Sequence, residues 1–397
     1  MLPRVKILFE NGLLGGFNSS ADGLVGLVCT GVAVGETFAL ATPYSLRKLE
    51  DLEALGVTET SVGNERLYKN VKEFYKEASV GTQLWIIAFA NTVSLSDMVD
   101  KDENYAKLLL SKERTIKGII CDFAPAAGYT PVVENGMDAD VALALTKASL
   151  LAAYQTDRHA PTFFVLPVQY FSGTVANLTS LKAMTHNHVA LVLGDSASGT
   201  NSACMGLIGG KIAANPVHRH IGRVRSGAIS ATKIYIKTTE AKLVDTESID
   251  DKGYITFRTF EENGKAGYYI SDDDTAAADS DDYSSLTRLR TIHKAYRIAD
   301  ATLVEELNDE IPVTNAGTLT PAFAKSLEKT LEDAISNQMG ENLGRDPEDT
   351  NDKGVKAYVN YNQNVITSSQ FEVVLRVKPY GYSKFIDVKL GFLTTNG

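Results

Sequence analysis

Residues 355–393, VKAYVNYNQNVITSSQFEVVLRVKPYGYSKFIDVKLGFL, constrain this chain more than any other stretch. Phe371, Val373, Leu375 and Val377 fall on one face of an extended segment, while Glu372, Arg376 and Lys378 fall mostly on the other. That period of two marks a half-buried strand. Pro379-Tyr380-Gly381-Tyr382 is turn chemistry. A second run follows, with Phe385, Asp387 and Lys389 on one side and Ile386, Val388 and Leu390 on the other. The sequence ends seven residues after Leu390. An apolar, β-prone segment so close to a terminus needs a sheet to join, and that sheet can belong to another copy of the chain.

The other end has the same character. Val5, Ile7 and Phe9 suggest a short strand, and Asn11-Gly12 with Gly15-Gly16 forms a flexible joint behind it. Strands then alternate with helices over residues 20–235. Expected strands are 24–34, 83–90, 116–123, 162–170 and 189–193, all apolar runs. Expected helices begin at Thr42-Pro43, at Glu65, after Ser96 as cap, at Asp138 and at Ala203. Strands apolar on both faces, alternating with helices, indicate an α/β layer with a largely parallel sheet. Beyond it, Asn263-Gly264 between two β-prone runs signals a hairpin. Residues 271–282, SDDDTAAADSDD, read as a solvated acidic linker, with a cation site as the alternative. A long helix is expected over 283–307 and a second from Thr320-Pro321 to Gly340, buried through Phe323, Leu327, Leu331 and Ala334.

Composition excludes several classes. At roughly 100–200 residues per domain, 397 residues imply two or three domains. A net charge of −10 argues against a general nucleic-acid binder, which would carry a basic footprint. Cys29, Cys121 and Cys204 each sit in an apolar run and read as buried thiols rather than a disulfide framework. The opening MLPRVKILFENG lacks a long apolar run, so no signal peptide is expected, and no stretch of about 18 apolar residues suggests a membrane span.

No motif forms a coherent catalytic set. Gly194-Asp195-Ser196-Ala197-Ser198-Gly199 follows a strand, but Ser196 is not framed as G-x-S-x-G. Gly206-Leu207-Ile208-Gly209-Gly210-Lys211 is too short for a phosphate loop, and Ile212 stands where Ser or Thr is required. His186-Asn187-His188 and His218-Arg219-His220 could chelate zinc only if a further ligand converged. No catalytic residue, cofactor or metal is expected.

Three segments together resemble the tail sheath proteins of contractile phages, in the form common among bacterial prophages. They are residues 23–56, a Gly-punctuated strand followed by SLRKLEDLEALG; residues 289–307, LRTIHKAYRIADATLVEEL, followed by Gly317-Thr318-Leu319-Thr320-Pro321; and residues 359–392, holding NQNVITSSQFEVVLRVKPYGYSKFIDVKLGF. The resemblance implies an α/β fold with a tail-sheath-like core built from residues 21–60 and 236–383. It implies an outer α/β domain inserted at 61–235, and arms at 1–20 and 384–397 that act as exchanged β-strands. Val5, Ile7, Phe9, Phe385, Ile386, Val388, Leu390 and Phe392 would then be inter-subunit strand residues, with Gly12, Gly15 and Gly16 as hinges. Lys325 and Lys329, beside Glu328 and Glu332 on one helix face, are candidates for contact with an inner tube; a solvated face is the alternative.

The implied function is structural and not enzymatic. The subunit would polymerise helically around an inner tail tube, with baseplate and tail terminator proteins as further partners and neither nucleic acid nor a membrane bound. It would be assembled in the host bacterial cytoplasm and reside in the virion tail. The alternatives are the sheath of a phage-derived contractile injection system, an α/β hydrolase using Ser196, and a self-assembling shell or surface-layer protein.

Overall fold

The five short apolar runs and one edge strand meet in one sheet. The strands are β1 (Val25–Thr30), β2 (Tyr44–Leu46), β3 (Leu84–Phe89), β4 (Gly118–Asp122), β5 (Phe163–Pro167) and β6 (Val189–Val192), in the order β2-β3-β1-β4-β5-β6. All neighbours are parallel except β2, which runs antiparallel along β3. Every residue of β1, β4, β5 and β6 is buried, as a parallel sheet covered on both faces requires. The computed structural model describes residues 21–388 and 390. It divides into two units, Met1–Ala301 and Thr302–Gly397. Val5, Ile7, Phe9, Gly12, Gly15, Gly16 and Phe392 lie outside the described residues.

Within the first unit, the sheet takes β1 and β2 from the segment expected in the core and β3 to β6 from the segment expected as an insertion. The helices are α1 (Leu49–Ala54), α2 (Glu65–Glu77), α3 (Leu95–Met98), α4 (Ala106–Lys112), α5 (Ala139–Thr156), α6 (Met205–Ala214), α7 (Glu247–Asp250) and α8 (Leu286–Leu303). The helix expected from Asp138 forms as α5, and Asp138 itself caps it, its carboxylate accepting from Asp140 N at 3.2 Å. The glycines of the Gly206–Lys211 stretch are packing residues. A Cβ on Gly206 would lie 2.1 Å from Asn70 O, and one on Gly210 would lie 2.5 Å from Phe74 O, so they let α6 approach the backbone of α2.

Three helix expectations are corrected. Thr42-Pro43 precedes β2 rather than a helix, because the edge of β3 claims residues 44–46 and buries Leu46. The helix starts later, where the Asp51 carboxylate accepts from Arg47 N at 2.7 Å and from Lys48 N at 3.2 Å. Ser94, not Ser96, caps α3 by accepting from Asp97 N at 3.1 Å, and α4 is a separate helix. The long helix ends at Leu303 and a 3-10 turn follows, which leaves Leu307 exposed.

The hairpin forms as β7 (Phe257–Phe260) and β8 (Lys265–Ile270), with Gly264 in the left-handed region at φ 72°. The acidic stretch behind it is not a solvated linker at its start: residues 272–277 are all buried. Asp273 explains this. It accepts from Ser285 Oγ at 2.8 Å, from Thr287 N at 3.0 Å and from Thr287 Oγ1, and so ties the loop to the first turn of α8.

The second unit holds α9 (Pro321–Met339), β9 (Val355–Val359), α10 (Val365–Ser368) and β10 (Val373–Val377). Thr320 caps α9, its Oγ1 accepting from Phe323 N at 3.3 Å, with Pro321 in the first turn. Leu327 and Leu331 are buried, whereas Phe323 and Ala334 are only half-buried. β9 and β10 pair antiparallel, from Val355 opposite Val377 to Val359 opposite Val373.

Candidate assembly interface

In a doubly wound sheet, ligands are taken at the carboxyl ends of the strands where the strand order reverses. Here that point lies between β1 and β4, and the protein fills it with its own side chains. Asp122, the last residue of β4, receives Arg66 Nε at 2.9 Å, Arg66 Nη2 at 2.7 Å, Asn70 Nδ2 at 2.6 Å and Ser202 Oγ at 3.0 Å. Beside it Lys69 pairs with Asp195 at 2.5 Å and with Glu73 at 3.2 Å. Ser196 Oγ donates to Glu73 and is 3.4 Å from Asp195. The Glu73 carboxylate holds the Ser196 hydroxyl, and no histidine among the described residues bonds it. Burial pushes the Glu73 carboxyl up, with Lys69 and Ser196 opposing that shift. The three cysteines are buried free thiols, and burial pushes each one up.

The two His-x-His pairs do not converge. His188 stacks near His293, with ring centroids 5.2 Å apart. His220 Nε2 lies 2.9 Å from Asp272 Oδ1 and 3.1 Å from Asp273 Oδ1. These three residues have the donor set and spacing of a cation site, but the imidazolium supplies the positive charge. Burial would push His220 down; the carboxylates of Asp273 and Asp272 outweigh it and hold it at about 10. Burial likewise opposes the Asp273 charge, and His220 overcomes it, leaving Asp273 well below the usual carboxylate range.

Replacing His220 by alanine strands two buried carboxylates. It is expected to cost about 3–5 kcal/mol in denaturant unfolding near neutral pH. The folded value for His220 is raised, so its contribution is complete below its ordinary value of 6.5 and is lost as pH rises towards 10. The gap between wild type and variant should therefore narrow with rising pH across that window. A constant gap would contradict the pairing.

The interface itself is built in the second unit. Val355, Ala357 and Val359 share one face of β9 and are buried. Their partners across the pair, Val377, Leu375 and Val373, share the same face of β10 but are only half-buried. The two edges differ. On β9, Ala357 N donates to Glu332 Oε1 at 3.1 Å and Val359 N donates to Glu328 Oε1 at 2.9 Å. Carboxylates of α9 thus close that edge, as natural sheets close edges that must not pair. On β10, the antiparallel alternation turns the main-chain groups of Val373, Leu375 and Val377 outward. No strand among the described residues pairs with them. A two-stranded ribbon with one open edge is a sheet awaiting further strands.

The same unit carries an unpaired apolar segment. Phe385, Ile386, Val388 and Leu390 are 89%, 78%, 76% and 95% exposed and belong to no strand. Among the described residues of 385–390 none lies in a strand, where the sequence pattern predicts a second one. Lys325 and Lys329 are exposed, but Glu328 and Glu332 do not share their face: Glu328 is buried and Glu332 half-buried. Helical periodicity placed them outward because it cannot show an adjacent strand edge that needs acceptors. Lys325 Nζ reaches Glu328 at 2.6 Å.

The fold is shared with solved sheath proteins. The chain is similar to the helical sheath of the anti-feeding prophage in its contracted state (TM-score 0.62, 12% identity, 98% of this chain and 99% of that one). It is similar to the sheath of an extracellular contractile injection system, also contracted (TM-score 0.60, 14% identity, 98% and 97%). It also resembles the sheath tail protein from Listeria innocua (TM-score 0.52, 12% identity, 91% and 92%). All three are described as sheath components, a structural rather than a catalytic class. Residues 2–274 match the N-terminal domain of the DUF2586 family and residues 282–397 its C-terminal domain, so the chain belongs to the DUF2586 family. No curated protein sequence matches it. Among the described residues no helix is long and apolar enough to cross a membrane.

Proposed function

We propose that this chain is the structural subunit of a contractile tail sheath, polymerising helically around an inner tail tube and driving that tube through a host envelope. The observation that carries this reading is the half-built ribbon of β9 and β10 in a chain whose Phe385, Ile386, Val388 and Leu390 are exposed and lie in no strand. A segment that leaves its own copy to pair with the next makes a head-to-tail contact, and such contacts build rings or open helices rather than closed dimers. Main-chain hydrogen bonds supply affinity and alternating side chains supply register. Contraction then needs two packings of the same rigid bodies with the exchanged strands kept, and a kinetic barrier that holds the first packing.

The partners in this reading are further copies of the chain, an inner tube protein, and baseplate and tail terminator proteins. Lys325 and Lys329 are the candidate tube contacts. Val5, Ile7 and Phe9 would pair as the N-terminal arm, with Gly12, Gly15 and Gly16 as its hinge. The place of work is a virion tail assembled in a bacterial cytoplasm. A second reading, the sheath of a phage-derived injection system, is favoured by the anti-feeding prophage and extracellular injection-system relatives.

Electron microscopy of the purified full-length protein tests the proposal. Tubes or rings of regular diameter are expected without any inner tube, because the contracted packing should be the lower in free energy. A protein that stays strictly monomeric at high concentration would count against it, and flat sheets would favour a shell or surface-layer protein instead.

A further inference from the structure

A cationic cavity lies in the first unit, lined by residues other than those at the filled end of the sheet. Its walls include Lys117 just before β4, Phe163 at the start of β5, Asp22 before β1, and Arg290, His293, Lys294 and Arg297 along α8. Among the described residues, one carboxylate and four cationic side chains line it, and that carboxylate holds Lys294 Nζ at 2.5 Å.

Three lining groups carry the argument. His293 is 4% exposed, and neither of its ring nitrogens has a hydrogen-bond partner. Burial, with His188 and Arg297 nearby, pushes it well below its ordinary range, so it is a neutral imidazole with one N–H to donate. Lys117 is half-buried, and among the described residues its amine forms no ion pair or hydrogen bond. Burial and then Arg297 push that amine down to about 8, against the pull of Asp22 and Glu113. Arg297 donates to Pro161 O and to His293 O but pairs with no carboxylate. Burial pushes it down to about 10. Two partly desolvated cations and an unsatisfied buried N–H around one hollow are costly unless something negative sits among them.

We propose that this cavity binds a small monatomic anion of the halide class, coordinated by Lys117, Arg297 and the His293 N–H. Size decides between anions. The cavity offers about 10 Å³, room for a single water-sized occupant. A halide ion is close to that size, whereas sulfate, phosphate and gluconate are larger. Bound there, the anion bridges the start of β4 to the middle of α8 and replaces repulsion between Lys117 and Arg297 by two attractions. The inference is independent of the sheath reading.

The test uses the full-length protein at fixed ionic strength, exchanging sodium gluconate stepwise for sodium chloride or bromide. Either halide is expected to raise the melting temperature saturably, by about 2–4 °C at ten times the dissociation constant. Lys117→Met should remove the halide dependence, and in gluconate this variant should melt no lower than wild type, because it no longer buries an unpaired amine. Chloride-35 line widths give a second readout that needs no variant: wild type should broaden the line and bromide should reverse it. Identical melting curves in chloride and gluconate, no reversible broadening, or a halide shift that persists in Lys117→Met would each overturn the proposal.

Discussion

Removal of residues 384–397 should leave a protein that folds and melts like the full chain yet forms no tubes. Phe385, Ile386, Val388 and Leu390 stand almost wholly in solvent, so deleting them costs the single chain little burial. In an assembly the same four side chains have much to gain. At about 1.5–3 kcal/mol for each buried apolar side chain, they supply about 6–12 kcal/mol per contact before the cost of ordering the segment. Losing that at every contact should abolish polymerisation outright.

The acceptor side has a matching test in Leu375→Pro. Proline is tolerated on an edge strand where the N–H faces outward. Leu375 N faces away from β9, so the pairing within the ribbon survives while a donor to the incoming strand is lost. Normal tubes from both the truncation and Leu375→Pro, seen by microscopy and sedimentation, would refute strand exchange at this edge.

The second large effect concerns stability. Asp122→Ala should lower unfolding free energy by about 3–5 kcal/mol, because it removes one partner of a buried ion pair and leaves the other uncompensated. Asp122 is 1% exposed and holds four donors from Arg66, Asn70 and Ser202. Its loss unmoors α2 from the end of β4 and places Arg66 beside Lys69 with one carboxylate fewer. Denaturant unfolding with an unchanged slope would report this directly. A loss below about 1 kcal/mol, the range of exposed pairs, would mean that the cluster is more hydrated than its geometry shows.

Much of the first unit was legible because its parallel strands are short, uninterrupted apolar runs. β1, β3, β4, β5 and β6 fall inside the expected segments, and the helix expected from Asp138 forms as α5. What failed depended on distant partners. Residues 271–282 look solvated until His220, some fifty positions earlier, supplies the charge that lets Asp272 and Asp273 be buried. Thr42-Pro43 has the chemistry of a helix start, but the edge of β3 outbids local preference. Glu328 and Glu332 lie on the polar side of a helical wheel, and only the neighbouring N–H groups of β9 show why they turn inward. Of the candidate interface, the strand pattern at 371–377 and the exposed alternation after Ser383 were readable. The sealed opposite edge was not, since it arises from contact between a helix and a strand.

That seal has a consequence for growth. A copy that can receive on one flank alone gives any chain of copies a direction, and the terminal copy always presents an unfilled seat. Such an array has no built-in length. Something outside the repeating unit must measure it and stop it, or it will extend until its supply of subunits runs out.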